Sequence, residues 1–530
     1  MPSTFRLKTL VVALGLAATG AAFAAAPASA SNRTAVAHAT MLHAGDTVTG
    51  PMALNRSLHV VVSLQLRNEA QLQAFIAQPD HPNLTPAQFA AEYGPSEADV
   101  DAVSAWLRQN GFSNVTISAN RVLVSADGSA ATVQSAFRAN MVHVRTHDGR
   151  DAYANSTDVT VPASLHGVSG VMGLQTVHIP HPFRGKPGGG GGGGSIIGHN
   201  PTQFPSIYGG TSLPTAAGVT VGIVSNGDLT QTLSDLNSFT SQNGLAAVAT
   251  QIVNTNGTGT DTSGTPEWDL DSQDIVGMGG GQVGKIVFYD IPTLSNSNMV
   301  ADFNTAVGAN VAKVINVSLG ECETSAQKDG SAAAADAIFQ QADAQGQTFS
   351  VSSGDSGSNE CGKGPRGNTP SWPASSPYVV AVGGTTLNAT TTTWQGETVW
   401  SGTGGSPSTF EPIPSWQVGV GQNAGSSYRG VPDIAFDADP NSGSIIIVNG
   451  SSQQYGGTSL ASPLFVGFWA RMIAAKGTGI GFASPKLYAL PASAFHDVVS
   501  GSNGGETAAP GWDYCTGFGS IIMSQAAASL

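Results

Sequence analysis

Apolar and polar positions divide the chain into two stretches of different rhythm, one on each side of a run of glycines. In the first, residues 58–66 (LHVVVSLQL) form a strand-like apolar run. Residues 97–109 (EADVDAVSAWLRQ) put Val100, Val103, Trp106 and Leu107 on one face at helical spacing, with Ser96 placed to cap and Asp99 at the third helical position. Strand-like VTISAN and RVLVSA follow, then a short helix around Ala131–Ala139 and strand-like MVHVRT. That succession predicts a small α+β domain over residues 45–178.

Pro187 then precedes Gly188–Gly194. Seven glycines cannot hold regular structure, so residues 182–198 read as a flexible tether open to proteolytic nicking. Beyond it the rhythm changes. Near-continuous apolar runs at Val219–Val224, Lys285–Tyr289, Lys313–Val317, Thr348–Ser352 and Tyr378–Val382 alternate with helical stretches near Asp235–Asn243, Trp268–Met278, Met299–Val311 and Ala332–Ala344. Such alternation predicts an α/β domain with a doubly wound parallel sheet over residues 199–530. In sheets of this kind function gathers at the carboxyl ends of the strands.

Composition adds compartment and charge. The sequence is 40% hydrophobic and only 11% charged, a globular composition. Residues 199–530 hold nine basic against 24 acidic residues, so the acidity lies almost wholly there, and no basic stripe suggests nucleic acid. Few basic groups mean little self-repulsion in acid; an acidic surface that merely aids solubility explains the count as well. Arg6 and Lys8 precede an apolar run from Thr9 to about Ala26, followed by small-residue cleavage sites at Ala22-Phe23-Ala24 or Ala28-Ser29-Ala30. Residues 1–30 therefore read as a secretory signal and the product as extracellular. No later run has the ~18 apolar residues of a membrane helix, so no membrane contact is expected after signal removal. Export permits a disulfide, and Cys322, Cys361 and Cys515 allow one pair and one free thiol.

Three segments could carry chemistry. Gly456-Gly457-Thr458-Ser459-Leu460-Ala461-Ser462-Pro463 leads a serine onto an apolar helix that runs to about Ala475, with Pro463 in its first turn. A hydroxyl there meets the positive end of a helix, where developing negative charge is favoured; alternatively Ser459 is only an N-cap. A serine nucleophile needs a base. Of eleven histidines only His199 and His496 follow the glycines, and no G-x-S-x-G elbow is present. Carboxylates are better placed. Glu267 and Asp271, in Glu267-Trp268-Asp269-Leu270-Asp271, lie four apart on one helix face, where like charges repel and a proton can be shared. The other interpretation is a solvated acidic face. Asp355, in Ser353-Gly354-Asp355-Ser356-Gly357, follows a strand-like run; it suits a turn, or, when protonated, donation to an oxyanion.

Taken together and in order, these three segments resemble the sedolisin (serine-carboxyl peptidase) family, whose catalytic fold is subtilisin-like. Pro373-Ala374-Ser375-Ser376-Pro377-Tyr378, Ala381-Val382-Gly383-Gly384-Thr385 and Arg429-Gly430-Val431-Pro432-Asp433 extend the resemblance. So do Leu84-Thr85-Pro86-Ala87-Gln88-Phe89 and Tyr93-Gly94-Pro95-Ser96, which look like the family's activation prodomain, of ferredoxin-like form. The resemblance implies that Ser459 is the nucleophile, Glu267 the general base and acid, Asp271 its partner and Asp355 the oxyanion-hole acid. It implies an acid-acting endopeptidase on protein or peptide substrates, made as a monomeric proenzyme inhibited by its own prodomain and cut free within the tether. It also implies one structural Ca²⁺, held by Asp497 and Asp513 and by the carbonyls of Val498, Ala509 and Gly511, and a Cys322–Cys361 disulfide. One departure stands out: Leu319 follows Val317-Ser318 where many relatives carry a tryptophan that extends the carboxyl hydrogen-bond network. A noncatalytic binding relative and an exopeptidase of the same family remain alternatives. A histidine-dependent subtilisin-like protease lacks a suitable histidine.

Overall fold

A computed structural model describes residues 32–183, 198–362, 368–477 and 480–530. The expected signal (residues 1–30) and the glycine run of the tether lie outside the described residues.

The N-terminal domain is built on a four-stranded antiparallel sheet, ordered Ser113–Ile117, Leu123–Ser129, Ser57–Leu64, Val168–Met172. Helices Glu97–Gln109 and Ala130–Phe137 sit between successive strands, which gives the ferredoxin-like order. The helix at 97–109 begins where the cap predicts: the Ser96 hydroxyl accepts the Asp99 N–H. Alternation along Ser57–Leu64 explains its unbroken apolar sequence. Val60, Val62 and Leu64 point into the domain's own core with Val100, Val103, Leu107 and Phe137, while Val61 joins the core of the second domain. The segment MVHVRT forms the expected strand but lies outside the main sheet. Its strand, Met141–Arg145, pairs with Thr47–Pro51 and Asp151–Asn155 in a separate three-stranded sheet. The fourth strand of the main sheet is Val168–Met172, whose glycine-broken sequence carries a weak strand signal.

The C-terminal domain holds an eight-stranded sheet. Its order is Thr250–Asn254, Val283–Ile291, Ala216–Asn226, Val314–Val317, Thr348–Ser352, Val380–Ala389, Trp394–Val399, with Ile434–Asp437 also joined to Val380–Ala389. All neighbours are parallel except Trp394–Val399. Helices Thr265–Met278 and Thr458–Lys476 pack together, the latter lying along the central strands; helices Asn296–Ala309 and Ser331–Ala344 pair separately. This is the predicted doubly wound, subtilisin-like arrangement. Pro463 is not in the first turn as expected but is the sixth residue of its helix, because the helix already starts at Thr458. Lacking an N–H, Pro463 cannot close the bond to the Ser459 carbonyl.

The N-terminal domain rests on the paired helices. Phe89, Tyr93, Leu72 and Ile76 enter the C-terminal core. Asn120 Nδ2 donates to Asn304 Oδ1 at 2.6 Å and to Gln341 Oε1 at 2.7 Å, and Gln175 Nε2 donates to Asp329 Oδ2 at 3.0 Å.

The crossing of helices 265–278 and 458–476 positions the chemistry and depends on Gly467. A Cβ there would stand 2.7 Å from Met278 Cβ and 2.9 Å from both the Gly279 nitrogen and the Ile275 carbonyl oxygen. Gly467→Ala should therefore destabilise the fold by about 1–3 kcal/mol through overpacking, read as a lowered thermal midpoint in the Ser459→Ala background.

Candidate active site

Helix Thr265–Met278 starts with Pro266 in its first turn, which fits a proline without a donor. Trp268 fixes it to the sheet: its indole Nε1 donates to the Asn226 carbonyl at 3.1 Å, at the carboxyl end of strand Ala216–Asn226. Glu267, Asp269, Asp271 and Asp274 are all fully buried, so the solvated acidic face is ruled out. Asp271 Oδ1 accepts the Ser318 hydroxyl at 2.6 Å, and Asn316 Nδ2 donates to Ser318 Oγ at 2.9 Å. Asn316 Oδ1 in turn accepts the Ser462 hydroxyl at 2.7 Å, and Ser350 Oγ lies 2.8 Å from Ser462 Oγ. A polar chain thus runs from helix 458–476 across strand Val314–Val317 to Asp271, with Ser350 joined to it at Ser462. Burial, then the charge of Glu267, push the Asp271 carboxyl well above its usual range, against the pull of Ser318 and Asn316. Leu319 is buried beside Ser318, and the bond to Asp271 comes from that serine hydroxyl.

Asp355 follows strand Thr348–Ser352 and reaches the start of helix 458–476. Its Oδ1 accepts the Thr458 N–H at 2.8 Å and the Thr458 hydroxyl at 2.9 Å. Burial raises its pKa well above the ordinary value; Glu360 and Glu267 push the same way, and the bonds from Thr458 pull it back. Glu267 therefore lies within electrostatic reach of both Asp271 and Asp355.

Ser459 is not the N-cap. Gly457 is, at φ +100°, a backbone that side chains rarely adopt. Ser459 is the second residue of the helix and fully buried. Its hydroxyl has no hydrogen-bond partner among the described residues. Its N–H, one of the donors a helix start leaves over, goes to the Phe183 carbonyl at 3.2 Å. His199 bridges to Ser444 and packs on Phe204, while His496 stacks on Trp394 at 3.8 Å; neither hydrogen-bonds to Ser459 or to these carboxyls. Of the residues expected from the sequence, Glu267 and Asp271 lie buried on helix 265–278, and Asp355 bonds to the residue before Ser459; Asn316, Ser318, Ser462 and Phe183, which join them here, were not expected. A polar asparagine inside the apolar run Lys313–Val317 was the available signal.

Farther along the chain, Asp497 Oδ2 accepts the Gly511 N–H at 2.9 Å, and Asp513 Oδ2 accepts the Ala509 N–H at 2.8 Å. The loop 509–513 thus touches both carboxylates. The carbonyls of Val498, Ala509 and Gly511 accept no hydrogen bond among the described residues. Two carboxylates and three open carbonyls fit a hard cation. No group of three or more His, Cys, Asp or Glu residues able to hold a metal occurs among the described residues. Cys322 and Cys361 form a disulfide, and Cys515 is free and buried.

Two family patterns match the chain: "Pro-kumamolisin, activation domain" over residues 44–177 and "Subtilase family" over residues 222–487. Sedolisin of Pseudomonas sp. (strain 101) is 45% identical across 98% of this chain and 96% of its own length. The chain belongs to the sedolisin family. It is a serine-type peptidase with an activation prodomain. Xanthomonalisin of Xanthomonas sp. (strain T-22) is 44% identical over 91% of this chain and 66% of its own. Among solved structures, Pseudomonas sedolisin complexed with two molecules of pseudo-iodotyrostatin superposes with a TM-score of 0.60 at 49% identity, over 63% of this chain and 98% of that one. No described helix is long and apolar enough to cross a membrane.

The buried carboxyls set a pH dependence. Burial pushes Asp290 to about 6, Asp336 and Glu360 to about 7 and Asp269 to about 9. Raised folded-state values mean that the folded protein holds these protons more tightly than the unfolded chain. The stabilisation is complete below the ordinary carboxyl range and is lost as pH rises through the folded values. The half-buried histidines His178 and His496, pushed down to about 4, act oppositely, but only below their ordinary value. The thermal midpoint of the Ser459→Ala chain should therefore fall steadily between pH ~6.5 and pH ~9, as followed by differential scanning calorimetry.

Proposed function

We propose that this chain is a secreted, extracellular, acid-acting endopeptidase made as a self-processing proenzyme. Residues 45–178 are its inhibitory prodomain, residues 182–198 its tether, and residues 199–530 its monomeric peptidase domain, acting on protein or peptide substrates. The observation that carries this reading is a serine in the first turn of a helix beside the Asp355 carboxyl, with Glu267 and Asp271 buried on the helix packed against it and no histidine hydrogen-bonded to its hydroxyl among the described residues.

The chemistry follows from those positions. Ser459 Oγ attacks the peptide carbonyl and passes its proton to the Glu267 carboxylate. Asp271, tied to Ser318, keeps Glu267 beside a partner that shares protons with it. The oxyanion lies at the positive helix end, where the Ser459 N–H and a protonated Asp355 donate to it. Glu267 then returns the proton to the leaving amine, and water releases the acyl group from Ser459. Asp355 can donate only while it holds a proton, and burial, which raises its pKa well above the ordinary value, favours that state in acid. Endopeptidase action is supported by Phe183, an internal residue of the chain whose carbonyl meets the Ser459 N–H.

A calcium ion held by Asp497, Asp513 and the carbonyls of Val498, Ala509 and Gly511 would cross-link the C-terminal loops. Chelation should lower the thermal midpoint and added Ca²⁺, but not Mg²⁺, should restore it. An unchanged midpoint removes the ion from this reading.

Hydrolysis of a denatured protein by acid-treated enzyme should be confined to the acid side of neutrality and absent in Ser459→Ala. Asp355→Ala should lose about 10²–10³ in kcat, as for other lost oxyanion donors. An optimum above neutrality, or full activity in the Asp355 variant, contradicts the mechanism.

A further inference from the structure

Phe183 is docked as a substrate residue would be. The preceding His181–Pro182 forms a short strand antiparallel to Leu319–Cys322, pairing His181 with Gly320 and Pro182 with Leu319. The Phe183 N–H donates to the Ser318 carbonyl at 3.3 Å, and its own carbonyl accepts the Ser459 N–H at 3.2 Å. The ring is only 2% exposed although the residue ends a two-residue strand. It fits against Gly320, where a Cβ would stand 2.5 and 2.7 Å from the ring carbons Cε2 and Cζ and 2.4 Å from the Ser371 hydroxyl. Only a glycine leaves room for an aromatic ring there. No other residue of the N-terminal half offers its carbonyl to Ser459 among the described residues.

We propose that the peptide bond after Phe183 is the first bond this proenzyme cuts, in its own chain, and that Gly320 opens the pocket that admits the phenylalanine. The proposal rests on the reading of Ser459 as nucleophile. Ser459 Oγ bonds to the Phe183 carbonyl carbon and gives its proton to Glu267. The carbon–nitrogen bond to Arg184 breaks, and the proton passes to the Arg184 amine. Water then hydrolyses the ester, leaving a carboxylate on Phe183 and a mature chain that starts at Arg184. The same docking accounts for inhibition before cleavage, since the strand and the ring occupy the ground a foreign substrate needs.

The test is intact mass and terminal sequencing of both fragments at early times after purified proenzyme is moved to pH ~4, at several protein concentrations. The expected result is a released prodomain ending at Phe183, a new N-terminus at Arg184, and a rate independent of concentration. Phe183→Tyr should process normally, whereas Phe183→Asp should slow this cut by about tenfold or more. In mature Gly320→Ala, kcat/KM for peptides with phenylalanine before the cut should fall relative to peptides with alanine there. A first cut within the glycine run, with Phe183→Asp processed at the wild-type rate, overturns the proposal while hydrolysis of a denatured substrate leaves the Ser459 reading standing. A folded wild-type chain that neither processes nor hydrolyses overturns both.

Discussion

Burying a carboxyl without a cation requires that it keep its proton, and this condition runs through the whole C-terminal domain. Asp271, Asp274, Asp302, Glu321, Asp343, Asp355 and Asp437 all have pKa values pushed well above the carboxylate range, with burial the largest cause. Among the described residues only Arg429 and Asp433 form an ion pair with both side chains buried. A neutral carboxyl is an ordinary hydrogen-bonding group and costs far less to bury than an ion. The scarcity of lysine and arginine therefore has a structural side: most interior carboxyls of this domain are set up to be protonated rather than paired. The burial that raises these carboxyls raises Asp355 in the same way.

The N-terminal domain carries the opposite sign. Burial pushes Asp46 up, but hydrogen bonds from His147 and His43 outweigh it and hold the carboxyl low. Asp127 behaves likewise through Asn114 and His59, and Asp148 is held low first by Arg150. Depressed carboxyls contribute stability that is lost as pH falls through their folded values. These groups are largely solvated, so each effect is small. His178 sits on the boundary between the domains, its Nε2 2.5 Å from the Met41 carbonyl and its Nδ1 3.3 Å from Ser325 Oγ. Burial first, then His43 and Lys328, push its pKa to about 4, against the Met41 carbonyl and Asp46. Charging it in acid places a cation between His43 and Lys328. Falling pH thus favours the catalytic half and strains the contact that covers it.

Most of this fold could be read from local pattern. The capped helix 97–109, the parallel runs beyond the glycines and the order of the three candidate segments each depend on neighbours in sequence. The failures have a common cause. Strand Met141–Arg145 is legible as a strand, but its partners are not, because pairing is a tertiary choice. Pro463 suggested a later helix start, since nothing local reveals that Gly457 turns the chain three residues before Leu460. Buried and solvated acidic faces look alike in sequence, and only the packing of helix 265–278 separates them. Leu319 drew notice as a missing donor, while the donor itself, Ser318, is one residue away and unremarkable in sequence.

The site is assembled at the carboxyl ends of three adjacent strands, and the parallel sheet makes that economical. Strand Ala216–Asn226 ends at the carbonyl that anchors Trp268, and with it the helix bearing Glu267 and Asp271. Strand Val314–Val317 carries Asn316 and runs straight into Ser318. Strand Thr348–Ser352 delivers Asp355, and its Ser352 hydroxyl donates to the Thr458 carbonyl at 3.0 Å. Side chains on two of these strands bond to helix 458–476, at Ser462 and Thr458, so the serine and the carboxyls share one rigid frame. Ser318 then has two duties that no single-residue reading could pair: its hydroxyl holds Asp271, and its carbonyl receives the Phe183 N–H. The segment 181–183 is therefore registered by the same residue that bonds to Asp271, so one short stretch of backbone places both.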